Sequence, residues 1–169
     1  MNSSLVWQVL SESLRCKPDH DRLTCLAAKQ PDINTLQTVC SVHGLLPIVD
    51  KALGPVRQTL FTAEEANAWQ RAVASCVLGN LVMHRELQRL LQLFAAAQIQ
   101  VAPFKGPTLA ERLYGDPALR VYSDLDLLVA PDQVLDVVKL LMAEGYQPEY
   151  ELTLLAQQMK PGSREIHFV

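Results

Sequence analysis

Two aspartates one residue apart, Asp124 and Asp126, interrupt an otherwise apolar run that includes Leu125, Leu127, Leu128 and Val129. Along a strand alternate side chains share a face, so this spacing predicts both carboxylates on one side, with Leu125 and Leu127 on the other. Carboxylates that close repel each other, and burying them without a partner is costly. A divalent cation removes the conflict, because hard oxygen ligands on Mg2+ (or Mn2+) are what phosphoryl-transfer chemistry uses. The plain alternative is a solvated strand face, on which Asp-x-Asp triplets are common.

Lys105-Gly106 precedes the pair by about twenty residues, at a predicted strand-to-helix turn. Glycine lets a backbone approach closely, and the free N–H groups at a helix start favour phosphate. Such a turn also arises for ordinary steric reasons. Turn, helix and then strand with paired aspartates is a rarer combination.

These residues need elements to hold them. Ile99 to Phe104 alternates and is rich in β-formers, which predicts a strand that Lys105-Gly106-Pro107 ends. Pro107 suits the first turn of a helix over Thr108 to Tyr114, closed by Gly115-Asp116-Pro117. Ser123 to Val129 reads as a second strand, and Pro131-Asp132 opens a helix that Gly145 caps. A short strand over Tyr146 to Tyr150, a helix over Leu152 to Met159 and a final strand over Arg164 to Val169 complete an α/β pattern. The first half reads as helical: a short stretch around Leu5 to Leu10, a helix from Asp32 to a break at His43-Gly44, and another over Leu45 to Leu53. Thr62 with Glu65 has the spacing of a capping box, opening a long helix to about Ala97 with a possible bend at Gly79.

The run FKGPTLAERLYGDPALRVYSDLDLLV (Phe104 to Val129) resembles the signature of the uncharacterised nucleotidyltransferase family, related to the polymerase-β-like superfamily. That family shows an apolar strand ending in K-G, a helix, an Arg, and D-[IL]-D-L-[LV]. The likeness continues to Gly145-Tyr146 and to Glu165-Ile-His167, covering about residues 80–169. It implies a nucleotidyltransferase-type mixed β-sheet with flanking helices over 98–169, which together with the helical N-terminal region, 1–97, makes the expected fold α+β.

The resemblance also implies roles. Asp124 and Asp126 would hold Mg2+ (or Mn2+) bridging an NTP, and Gly106 with the helix start at Thr108 would meet the phosphates. Lys105 would neutralise phosphate charge or orient the turn, and Arg120 would contact phosphate or pair with an acidic neighbour. Glu165 and His167 are the candidates to activate an acceptor hydroxyl, against a reading as polar residues on an edge strand. One departure stands out: the superfamily usually has Gly-Ser at the turn, whereas here Pro107 has no N–H to donate. The chain also ends at Val169 within an expected strand, where such proteins usually continue, so the expectation is a core truncated at its C-terminal end.

The bulk composition agrees with a folded domain. Of 169 residues, 49% are hydrophobic and 20% charged, enough apolar material for a sizeable core. The net charge of −3 shows no general basic surface, which disfavours a long nucleic acid as acceptor, although Arg71, Arg85, Arg89 and Lys105 could converge. Cys16, Cys25, Cys40 and Cys76 form no C-x-x-C pair and read as buried free thiols; Trp7 and Trp69 read as core. His20, His43 and His84 lack metal-ligand spacing. The N-terminus has no basic n-region and no run is long enough to span a bilayer, so a cytoplasmic protein without membrane contact is expected. Two functional readings follow: a metal-dependent transfer of NMP from an NTP to an unidentified hydroxyl acceptor, or a nucleotide-binding or regulatory module that kept the fold without turnover. The oligomeric state is not legible.

Overall fold

The computed structural model describes residues 3–149 and 166–169. The expected helix over 152–159, and Glu165 with the first part of the final strand, lie outside the described residues. Among the described residues six α-helices come first, followed by a short strand, a seventh helix, a second short strand and an eighth helix, an α+β arrangement of the class expected from the sequence. Among the described residues no helix is long and apolar enough to cross a membrane.

The chain folds as two compact units. The first comprises 1–88 and 103–126, and the second 89–102 and 127–169.

In the first unit α1 (Ser3–Ser13) packs against α2 (His20–Ala27), α3 (Ile33–Val42) and α4 (Leu46–Leu53). Helix α2, which apolar periodicity does not announce, starts because the Asp19 carboxylate accepts a hydrogen bond from the Arg22 N–H at 3.1 Å. Asp32 caps α3 in the same way through the Thr35 N–H, as its sequence position predicts. A 3-10 turn at Gly54–Val56 runs into the single-turn α5 (Arg57–Leu60). Leu23, Leu36, Cys40, Val49, Leu53 and Trp69 form the centre of the apolar core. Full burial of each leucine is worth about 1.5–3 kcal/mol. The Trp69 indole N–H is satisfied by Asp50 at 2.9 Å, and Asp50 also receives Arg57 at 2.6 Å.

Trp7 does not belong to that core. Its side chain is 54% exposed, on the outer face of α1 with Ser4, Gln8 and Ser11, because Leu5, Val6, Val9 and Leu10 take the inward stripe. The thiols divide as well: Cys40 is buried and Cys76 half-buried, but Cys16 and Cys25 are exposed, contrary to the uniform burial expected.

Helix α6 (Ala63–Ala96) begins with the predicted capping box. The Glu65 carboxylate accepts from the Thr62 N–H at 2.8 Å, and the Thr62 hydroxyl accepts from the Glu65 N–H at 3.3 Å. It runs unbroken through Gly79, whose surroundings are open. Its end explains a shorter strand than expected. Gln98 adopts φ +57°, its N–H bonding to Ala95 and the Ile99 N–H returning to the Phe94 carbonyl at 2.9 Å, the paired bonds of a Schellman ending. Ile99 is thereby spent on the helix terminus, and β1 is only Val101–Pro103.

Strand β1 pairs with β2 (Leu127–Val129), which is also shorter than the strand predicted from Ser123. Helix α8 (Val134–Ala143) buries Val137, Val138 and Leu141. Arg89 pairs with Glu144 at 2.5 Å. The expected strands near 146–150 and 164–169 meet, where described, as an antiparallel bridge between Pro148 and Phe168. Gln147 and Val169 exchange both backbone hydrogen bonds at 2.8 Å, which leaves Pro148 at a position needing no N–H.

Candidate active site

The segment carrying the paired aspartates is held by hydrogen bonds and packing before it becomes a strand. Helix α7 (Gly106–Tyr114) packs against a 3-10 turn at Pro117–Leu119, started by the Asp116 carboxylate accepting from the Ala118 N–H at 2.8 Å. Helix α4 also touches that turn. A Cβ at Gly44 would stand 3.2 Å from the Val121 Cβ, so the turn between α3 and α4 lies directly against the approach to the aspartates.

A further anchor is a residue that sequence reasoning missed. Asn80, 2% exposed in the middle of α6, donates from its side-chain amide to the Ala118 carbonyl at 2.9 Å. Its own backbone carbonyl accepts from the Tyr122 hydroxyl at 2.9 Å. Asn80 is seven residues beyond the buried Val73 and seven before the buried Leu87. A polar residue falling on the apolar stripe of a helix was the available signal. Burial raises the Tyr122 pKa; the Arg120 charge opposes that shift and the Asp116 charge adds to it.

Asp124 is exposed and Asp126 half-buried, both just ahead of β2 rather than inside it. The ladder reaches them through one bond, from the Phe104 N–H to the Asp126 carbonyl at 3.3 Å. Lys105 is the N-cap residue of α7, makes no capping bond with its side chain, and places Nζ 3.5 Å from Asp126 Oδ1. Gly106 follows at φ +52°, and a Cβ there would come within 3.3 Å of the Asp124 carbonyl oxygen. Pro107 lies in the first turn as predicted, buried.

Lys105, Gly106, Asp124 and Asp126 are thus brought together, with Tyr122 packed beside the turn. Thr108 is half-buried in the first turn of α7, and Arg120 is half-buried just after the 3-10 turn. His167 belongs to the second unit, exposed, its carbonyl accepting from the Glu149 N–H at 2.9 Å. Glu165 is outside the described residues. Of the four basic residues considered as a patch, Lys105 and Arg89 are already neutralised by Asp126 and Glu144.

The family model described as uncharacterised nucleotidyltransferase matches residues 29–168. The chain belongs to this family. No curated protein and no solved structure matches it.

The family region of this nucleotidyltransferase-family chain starts at residue 29, far ahead of the stretch from about residue 80 that its motifs show. The packing gives a reason. The turn after α3, at Gly44, and helix α4 touch the segment that leads to the aspartates, so they are part of what positions it.

The donor types suit a hard divalent cation: two carboxylates one residue apart, beside a turn where a side chain at 106 would crowd the Asp124 backbone. Among the described residues no group of three or more His, Cys, Asp or Glu side chains converges. Two protein carboxylates, completed by phosphate oxygens and water, is a usual complement for Mg2+.

Proposed function

We propose that this chain transfers an NMP from an NTP to a hydroxyl acceptor. The observation carrying the reading is the meeting of the Lys105-Gly106 turn with Asp124 and Asp126 in a chain of a nucleotidyltransferase family. In the reaction the acceptor oxygen forms a bond to the α-phosphorus, the bond to the bridging oxygen breaks, and pyrophosphate leaves. Asp124 and Asp126 would hold Mg2+ (or Mn2+), which when bound neutralises charge on the triphosphate.

The chain's own groups do the rest. The Gly106 N–H, at the start of α7, offers a donor where phosphate favours a helix terminus. Lys105 and Arg120 supply positive charge, and Thr108 supplies a hydroxyl in the first turn. Glu165 or His167 takes the acceptor proton, an assignment supported by the family resemblance alone. Positioning and electrostatics would account for most of the rate.

One observation favours a second reading, a nucleotide-binding module without turnover. Pro107 occupies the first turn of α7 and contributes no N–H, which removes a phosphate donor where the superfamily has serine.

Calorimetric titration of ATP, GTP, CTP and UTP, with and without Mg2+, into wild type and the Asp124→Asn/Asp126→Asn double variant tests the site. Mg2+-dependent binding lost in the double variant supports it, and pyrophosphate release in an acceptor screen then separates transferase from binding module. Absence of binding by every NTP would remove both readings.

A further inference from the structure

Asp126 is paired with a cation of the chain itself. Lys105 Nζ stands 3.5 Å from Oδ1, with the carboxylate side chain 20% exposed and the lysine 48%. The same ammonium lies 5.0 Å from the centre of the Phe104 ring. The pairing follows from register, since the Phe104 N–H to Asp126 carbonyl bond holds the two backbones together immediately beside it. Lys105 spends nothing on capping α7, so its side chain is available for this contact.

From this geometry, and resting on the metal–nucleotide reading above, we infer that Lys105 is a built-in counter-ion that competes with the metal. The ammonium stabilises the Asp126 carboxylate whenever no metal is bound. A divalent cation needs the same carboxylate oxygens, and two positive charges cannot share them cheaply. Lysine is suited to giving way, being a point charge on a flexible four-carbon stem with its head in water. The turn lies at a helix start, where an arriving phosphate would offer the ammonium a new partner. Metal binding to the protein alone is therefore held weak, and nucleotide arrival releases Asp126 by drawing Lys105 away.

The test is Mn2+ binding to the full chain without nucleotide, followed by electron paramagnetic resonance, in wild type, Lys105→Met, Lys105→Arg and Asp126→Asn. Lys105→Met is expected to tighten Mn2+ binding about twofold to fivefold, the scale of a partly exposed ion pair. Lys105→Arg, which keeps the charge, is expected to stay near wild type. Circular dichroism melting of each variant checks that the fold is kept, as an exposed side chain predicts. Unchanged or weaker Mn2+ binding in a folded Lys105→Met protein overturns the counter-ion role while leaving the site intact. Mn2+ binding that Asp126→Asn does not alter overturns the metal site itself, and this inference with it.

Discussion

Gly106 leaves room for the Asp124 backbone: a Cβ at 106 would lie 3.3 Å from the Asp124 carbonyl oxygen, at a residue whose φ is +52°. Both facts disfavour a side chain, one by crowding and one by conformation. Gly106→Ala is expected to destabilise the protein by about 1–3 kcal/mol, the cost of a strained left-handed residue plus a forced shift of its neighbour. Gly79 supplies the control, being on a continuous helix with nothing within 4 Å of its missing Cβ. Gly79→Ala is expected to stabilise by about 0.5–1 kcal/mol. Urea unfolding of the two variants side by side checks the opposite signs.

The anchor at Asn80 makes a second prediction. Asn80→Ala leaves the Ala118 carbonyl without its side-chain donor and is expected to cost about 1–3 kcal/mol. Tyr122→Phe removes one buried hydroxyl bond to a backbone carbonyl and is expected to cost about 1 kcal/mol. Amide hydrogen exchange distinguishes this from general loosening: protection should fall over 116–126 before it falls in α1–α4.

Acid sensitivity should trace to Glu12, which is 3% exposed. The Asp19 N–H, at 2.9 Å, holds its pKa below the usual glutamate range, helped by Arg15 and Arg22. A lowered folded-state pKa means stabilisation that is present above the unfolded value, about 4.3 for glutamate, and lost as pH falls through the folded value. Asp32 adds to the same limb, lowered chiefly by the Thr35 N–H. The melting temperature of wild type should therefore drop on acidification below about pH 5. Glu12→Gln should melt lower at pH 7 and show a shallower acid decline; an unchanged slope would count against Glu12 as a main source.

Thiol reactivity should separate the four cysteines. Cys16 and Cys25 are exposed, whereas burial pushes the Cys40 thiol up to about 12 and raises Cys76 as well. A disulfide-exchange reagent at pH 8 is expected to label Cys16 and Cys25 in the folded protein, and Cys40 only after denaturation. Mass mapping of the labelled peptides gives the order directly.

Much of the local structure was legible because its causes are local. The Thr62/Glu65 box, the Asp32 cap, the long α6 and the turn at Pro107 are all set by residues within one helical turn of each other. The exceptions share a different cause. Helix α2 starts on a cap at Asp19 that apolar periodicity cannot show, and β1 loses Ile99 to the helix ending at Gln98. Trp7 faces outward because four other α1 residues meet the core first.

By itself the sequence determined the chemistry available: two carboxylates one residue apart, a Lys-Gly turn about twenty residues ahead of them, and the helices between and before. Those follow from residue type and spacing. Only the tertiary structure decided that Lys105 would sit against Asp126, that Gly106 would meet the Asp124 backbone, and that Asn80 in α6 would bind both Ala118 and Tyr122. The reason is range. Asn80 and Tyr122 are 42 residues apart and Lys105 and Asp126 are 21, so each contact depends on how packed helices bring distant segments together rather than on any periodicity along the chain.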